Sequence, residues 1–196
     1  MECKQQKAVF LDRDGTINVE KDYLINPREL AFVPGAPQAI RALNRAGYLV
    51  VVVTNQSGIA RGYFSVAQVN RLHTHMQNLL QQYAASIDAF YLCPHHPIAG
   101  DGPYTGKCKC RKGEPGMLLA AAQDMHIDLA ASYMVGDKVA DLEAGFGAGC
   151  HPVLVCTGYG DETLQNPEVQ KWREEARISV CDALPAAARH ILAQER

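Results

Sequence analysis

Residues 9–16 read VFLDRDGT. Three apolar residues run straight into two aspartates, Asp12 and Asp14, with a glycine and a threonine behind them. Burying a carboxylate at the end of an apolar strand is costly unless something compensates, and here two stand two residues apart. Asp-Gly-Thr also suits a simple turn. The residues just beyond the chain's other apolar runs decide between a turn and a site.

Those runs alternate with helical patterns. Residues 8–11 (AVFL), 48–53 (YLVVVV), 87–92 (IDAFYL), 132–136 (SYMVG) and 152–156 (PVLVC) read as strands, and 178–180 (ISV) as an edge strand. The second is apolar on both faces, as a parallel strand covered by helices would be. Between the strands, Ala36, Ala39, Ile40 and Leu43 recur at helical spacing over 36–46, with Gly47 placed to end that helix. Ser65 and Gln68 form a capping box ahead of a long amphipathic helix marked by Val66, Val69, Leu72, Met76, Leu79, Leu80 and Tyr83. Residues 116–125 and 139–147 are further helices, 161–177 is polar and partly helical, and Asp182 is placed to cap a last helix through Leu192. This alternation predicts an α/β fold: a Rossmann-like parallel sheet with helices on both faces. No repeat or linker divides the chain, so residues 1–196 read as a single domain.

In such sheets ligands gather beyond the carboxyl ends of the strands. The first four strands are followed by DRDGT, TNQSG, CPHHP and GDKVAD. Polar, reactive residues therefore meet four times at one edge of the sheet, which favours a site over a turn. Asp12 can attack phosphorus and form an aspartyl-phosphate, dividing one hard step into two. Neighbouring anions need positive charge, and Mg2+ prefers carboxylate, phosphate and water oxygens. Asp12, Asp14 and Asp137 are the expected magnesium residues. Asp14 faces the leaving group as general acid and later as base. Arg13, by strand alternation, is expected to point away from both aspartates. Arg61 is open between a second phosphate and a surface salt bridge.

The composition narrows the partners. A formal charge of −2 over 196 residues argues against a nucleic-acid binder. No apolar stretch approaches the roughly 20 residues that span a bilayer, and the first residues lack the apolar core of a secretory signal. Seven cysteines, an odd number, suit a reducing cytoplasm.

DRDGT, the VVVTN at 51–55 and the GDKVAD at 136–141 together resemble the motif set of the haloacid-dehalogenase superfamily of phosphatases. The resemblance implies Asp12 as nucleophile, Asp14 as acid and base, Thr54 and Lys112 steadying the phosphoryl group, and Asp137 holding Mg2+. A hydroxyl and an ammonium can donate to equatorial phosphoryl oxygens, where most of phosphoryl-transfer catalysis lies. The wider set, including CPHHP, CKCRK and PGM, is similar to sugar-bisphosphate phosphatases of that superfamily. It implies substrate contacts from Arg111 and Lys138, from Glu20, Lys21, Asp22 and Tyr23, and from Asn55, Gln56 and Ser57. Gly113 stands where the family often has proline, which would loosen the chain after Lys112.

Residues 93–110 read CPHHPIAGDGPYTGKCKC. Thiolate and imidazole are zinc's preferred ligands, and four of them close a tetrahedral structural site. Cys93, Cys108 and Cys110 supply three. The resemblance implies His95 as the fourth, although spacing alone leaves His96 open. A loop of this length has little core of its own, so Zn2+ would hold it and the Arg111–Lys112 pair behind it. Unliganded thiols and a disulfide are the competing readings.

The intervals between motifs leave no room for a large cap domain, so an open site for a small phosphorylated sugar is expected. The chain reads as a monomeric, magnesium-dependent sugar-bisphosphate phosphatase. Its rivals are a histidinol-phosphate phosphatase, a non-catalytic phosphometabolite-binding protein and a zinc-stabilised scaffold.

Overall fold

The computed structural model describes residues 5–194 of the chain, so Cys3 lies outside the described residues. Six strands, β1 (Ala8–Leu11), β2 (Leu49–Asn55), β3 (Ala89–Cys93), β4 (Tyr133–Gly136), β5 (His151–Val155) and β6 (Ser179–Cys181), form one sheet. Their order is β3-β2-β1-β4-β5-β6, and every pairing is parallel. Strand order reverses between β1 and β4, where a crevice opens at the carboxyl edge. Asp12 and Asp137 directly follow these two strands.

Among the described residues seven α-helices cover the sheet: α1 (Ala36–Arg45), α2 (Val66–Gln81), α3 (Gly116–Met125), α4 (Val139–Ala148), α5 (Gly160–Leu164), α6 (Pro167–Glu174) and α7 (Leu184–Ala193). The central strands are buried on both faces, so their side chains feed two cores in alternation. Val9, Leu11, Val50 and Val52 pack with Ile40 and Leu43 of α1, Met76 and Leu80 of α2, and Leu184 and Ile191 of α7. Ala8, Phe10, Val51 and Val53 point the other way, onto Met117, Leu118 and Ala121 of α3 and Ala144 of α4. A third cluster seats Trp172 of α6 with Leu142 and Leu154. Helices therefore lie on both faces, as the alternation of runs predicts, with no inserted cap between the strands.

Local rules set the boundaries. Gly47 takes the left-handed conformation (φ +84°) just beyond α1. The Ser65–Gln68 capping box forms at the head of α2. Asp182 does not cap the last helix: α7 starts after Ala183, whose side chain cannot cap, with a proline in its first turn. Proline's fixed φ and missing N–H suit that position without help from Asp182. Gly136, at the end of β4, is needed for space, because a Cβ there would run into the Asp141 carboxylate folded back against it.

Candidate active site

Asp12 leaves β1 with its amide donating to the Val135 carbonyl of β4 (2.9 Å), which fixes its place at the switch point. Its Oδ1 lies 2.6 Å from the Lys112 ammonium. Lys112 also reaches Asp141 Oδ1 (2.7 Å) and donates to the Val53 carbonyl (2.8 Å). The ammonium is thus three-coordinate and almost without solvent. Burial alone would favour its neutral form, but Asp12 and Asp141 outweigh that and hold its pKa above the usual lysine range.

Asn55 explains why Lys112 keeps its place. The Asn55 amide donates to the Lys112 carbonyl (3.1 Å) and accepts from the Lys112 amide (3.0 Å). Gly113 is tied as well, donating to the Ala140 carbonyl (3.1 Å). The glycine that suggested a loose segment sits in a clasped one.

Asp137 is fully buried. Its Oδ2 accepts from the Tyr159 amide (2.8 Å), while Oδ1 has no hydrogen-bond partner. Carboxylate oxygens of Asp12, Asp137 and Asp141 all lie within 4.8 Å of one another. Burial, then the charges of Asp12 and Asp141, push the Asp137 carboxyl up to about 8. Burial raises Asp12 as well, against the pull of Lys112, to about 6. An orphaned oxygen among oxygen-only donors fits a hard divalent cation. Both Asp141 oxygens are already engaged, one by Lys112 and the other by the Lys138 amide (2.9 Å). Asp12 and Asp137 are accordingly the freer donors.

The Asp14 carboxylate, also among the expected magnesium residues, is not one of those three. It is gripped by Arg13 (Nη2–Oδ2, 2.7 Å), by Asn18 (2.9 Å) and by Gln56 (3.0 Å). Burial pushes its pKa up, but the Arg13 charge and these hydrogen bonds prevail and hold it below the usual carboxylate range. Arg13 therefore does not point away from both aspartates. Alternation ends with β1, and the chain turns: Ile17 and Asn18 both donate back to the Arg13 carbonyl (2.9 and 3.1 Å).

The surrounding cavity, about 320 Å3, is lined by Asp12, Asp14, Thr54, Arg111, Lys112 and Lys138, among others. Gln56 Nε2 donates to Thr54 Oγ1 (2.8 Å), linking the threonine to Asp14. Asn55, Gln56, Ser57, Glu20, Asp22 and Tyr23 also line it, whereas Lys21 does not. Lys138 pairs with Glu20 (3.0 Å) and lies 4.5 Å over the Tyr159 ring. Asp141 and Tyr159 were missed by sequence reading. Asp141 carries a signal, since it is the second acid of GDKVAD; Tyr159 carries none, because only the fold returns the end of β5 to this edge.

Beside the cavity, the Sγ atoms of Cys93, Cys108 and Cys110 lie 3.2–3.5 Å apart. His95 Nδ1 is 3.7 Å from Cys93 and 3.5 Å from Cys110. A tetrahedral zinc with Zn–S of about 2.3 Å implies S···S edges of about 3.8 Å, so the donors fit one ion. His96 is turned elsewhere: its Nδ1 accepts from the Ile98 and Ala99 amides (3.2 and 2.8 Å). None of the cysteines among the described residues is in a disulfide. Arg111 donates to the His95 carbonyl (3.0 Å), which couples the cluster to the cavity. Arg61 has no carboxylate partner among the described residues and packs its Nη2 3.1 Å from His96 Nε2.

Comparison with known proteins agrees with this geometry. The family model described as HAD-hyrolase-like matches residues 109–186. The D-glycero-beta-D-manno-heptose-1,7-bisphosphate 7-phosphatase of Pasteurella multocida (strain Pm70) is 48% identical over 154 residues, covering 78% of this chain and 83% of that protein. The enzyme of the same name from Escherichia coli (strain K12) is 47% identical over 157 residues, covering 80% and 82%. A crystal structure of D,D-heptose 1,7-bisphosphate phosphatase from B. bronchiseptica, complexed with magnesium and phosphate, superposes with a TM-score of 0.82 at 41% identity, covering 97% of this chain and all of that one. With such identity across most of its length, the chain belongs to the heptose-1,7-bisphosphate 7-phosphatase family of the haloacid-dehalogenase superfamily.

Proposed function

We infer that this chain hydrolyses D-glycero-beta-D-manno-heptose 1,7-bisphosphate at the 7-phosphate, through an aspartyl-phosphate on Asp12. The observation that carries this reading is the trio Asp12, Asp137 and Asp141, with the buried Lys112 ammonium paired to Asp12 and Asp141 and one Asp137 oxygen left without a partner. Such a cluster suits an anionic phosphoryl group only if a cation joins it.

Magnesium, held by Asp12 and the free oxygen of Asp137, would supply charge for the phosphoryl oxygens. Asp12 attacks phosphorus as the bond to the sugar oxygen breaks, and Asp14, which must take up a proton as the negatively charged substrate enters the site, gives that oxygen the proton. Asp14 then takes a proton from water as the water oxygen attacks the phosphorus of the acyl phosphate, which frees phosphate and restores Asp12. Thr54 donates to the phosphoryl oxygens, and Lys112 does so by exchanging its Asp12 contact for one of them as Asp12 attacks. Arg111 and Lys138, at the open rim, suit the second phosphate, and Glu20 must yield Lys138 to it. Glu20, Asp22, Tyr23, Asn55, Gln56 and Ser57 complete the rim; Lys21 is not supported by the cavity lining. Cys93, His95, Cys108 and Cys110 would hold a zinc ion in a structural role.

The single sheet, with its central strands feeding shared cores, supports one domain, which is expected to act as a monomer. No helix among the described residues is long and apolar enough to cross a membrane. Free thiols suit a cytoplasmic setting.

Phosphate release from heptose 1,7-bisphosphate, other sugar bisphosphates and histidinol phosphate tests the reading. Turnover should favour the heptose substrate, and Asp12→Asn should abolish it by about 10^4-fold or more while binding persists. Preference for histidinol phosphate, or full activity in Asp12→Asn, would overturn it.

Magnesium stabilisation should depend on pH. The folded-state pKa values of Asp12 and Asp137, about 6 and 8, lie above the ordinary 3.8. Without metal, these groups therefore cost stability as pH rises through 4–8. Bound magnesium offsets that cost by favouring the ionised forms. The melting-temperature gain from saturating Mg2+ over chelator should be small at pH 5 and grow to about 5 °C or more at pH 8.

Removing zinc with a strong chelator should release one ion per chain and lower the melting temperature. It should raise KM several-fold more than it lowers kcat, because it loosens Arg111 before it disturbs Asp12.

A further inference from the structure

Arg13 is the largest fully buried polar side chain, with no solvent exposure at all. Its guanidinium meets Asp14 side-on, with Nε 3.2 and 3.1 Å from Oδ1 and Oδ2 and Nη2 2.7 Å from Oδ2. Its remaining nitrogen, Nη1, lies 3.3 Å from Nε2 of buried His73 on α2. His73 in turn stacks on Phe90 of β3, centroids 4.4 Å apart and planes within 15°. Arginine can only donate, so this nitrogen of His73 must accept, which requires the neutral ring protonated at Nδ1. Burial, then the Arg13 charge, push the His73 pKa down to about 3, so the ring stays neutral.

A buried ion pair is a poor way to fill space, since apolar side chains of similar volume often stabilise as well or better. This pair also has a direction. Arg13 is sealed, whereas Asp14 keeps 15% of its side chain exposed, facing the cavity. Of the three residues gripping Asp14, Gln56 lines the cavity and shares its amide with Thr54. Asn18 and Arg13 are buried behind. Substrate can reach Gln56 but not Arg13.

We propose that Arg13 is a positioning residue for the proton-transfer steps: its guanidinium, backed by neutral His73, fixes the direction in which the Asp14 carboxylate faces the leaving oxygen and the attacking water. The proposal rests on the reading of Asp14 as acid and base. The Phe90–His73–Arg13–Asp14 stack ties the catalytic turn to α2 and β3, elements that contribute nothing else to proton transfer. The planar fork grips with two nitrogens and braces with the third, a geometry a lysine lacks.

The leaving group provides the test. The sugar oxygen of heptose bisphosphate needs a proton to depart, whereas p-nitrophenolate departs as an anion. Rapid-quench measurement of phosphoenzyme formation, with the magnesium- and zinc-loaded full chain, separates the two. Arg13→Met should slow formation from heptose bisphosphate by about 10^2-fold and from p-nitrophenyl phosphate by no more than about threefold. Arg13→Lys should restore little, and His73→Leu should show the same selectivity at about a tenth of the size. Equal losses on both substrates in a variant that melts cooperatively would overturn the proposal. If Arg13→Met does not fold, His73→Leu decides, and equal effects on both substrates, or none on either, overturn it. Asp14→Asn is the control for the underlying reading: should it show no dependence on leaving group, Asp14 is not the acid. Should it show that dependence while the Arg13 and His73 variants do not, only the positioning role fails.

Discussion

The Lys112 ammonium touches Asp12, Asp141 and the Val53 carbonyl within 2.6–2.8 Å. Each charge contact at that distance is worth about 6 kcal/mol of attraction at an effective dielectric constant near 20, against several kcal/mol to strip each ion of water. The contacts hold the cluster together without neutralising it. Three ionised carboxylates and one ammonium (−3 + 1) leave two negative charges in a nearly dry space. A dication would close that deficit, and the orphaned Asp137 oxygen is where one would bind. Burial first, and the neighbouring carboxylate charges with it, push Asp12 and Asp137 toward their protonated forms when no metal is bound.

The fold supplies this arrangement at the point where strand order reverses. β1 delivers Asp12, β4 delivers Asp137, the first turn of α4 returns Asp141, and the loop after β3 brings Lys112 to them. That loop is braced twice: by the Cys93, His95, Cys108 and Cys110 cluster and by the Asn55 clasp on Lys112. A mobile lysine would leave the carboxylates uncompensated, which gives a structural metal at the rim a catalytic consequence.

Much of this was legible in sequence because strand ends are local. The polar residues after the first four strands announced the edge at which the site forms, and the doubly apolar VVVV announced a sheet covered on both faces. What stayed hidden depends on tertiary contact. Arg13 was expected to point away because alternation was carried past the end of β1, into a turn where it no longer holds. Choosing His95 over His96 from spacing alone was not possible; the structure turns the His96 Nδ1 to two backbone amides. Asp141 was passed over because its motif was read for one acid rather than two. Tyr159 reaches the site only because β5 lies beside β4, a neighbour relation that no local pattern encodes.

That the phosphoryl group passes through the side chain of Asp12 is the claim on which the chemistry stands. It can be examined by mixing magnesium-loaded enzyme with heptose bisphosphate, quenching in acid within milliseconds, reducing acyl phosphates with borohydride and mapping the digest by mass spectrometry. Homoserine should replace aspartate at position 12 and nowhere else, in an amount that rises and falls with the burst of sugar release. Full turnover with position 12 unmodified at every quench time would mean that water attacks the substrate directly, and would contradict the account.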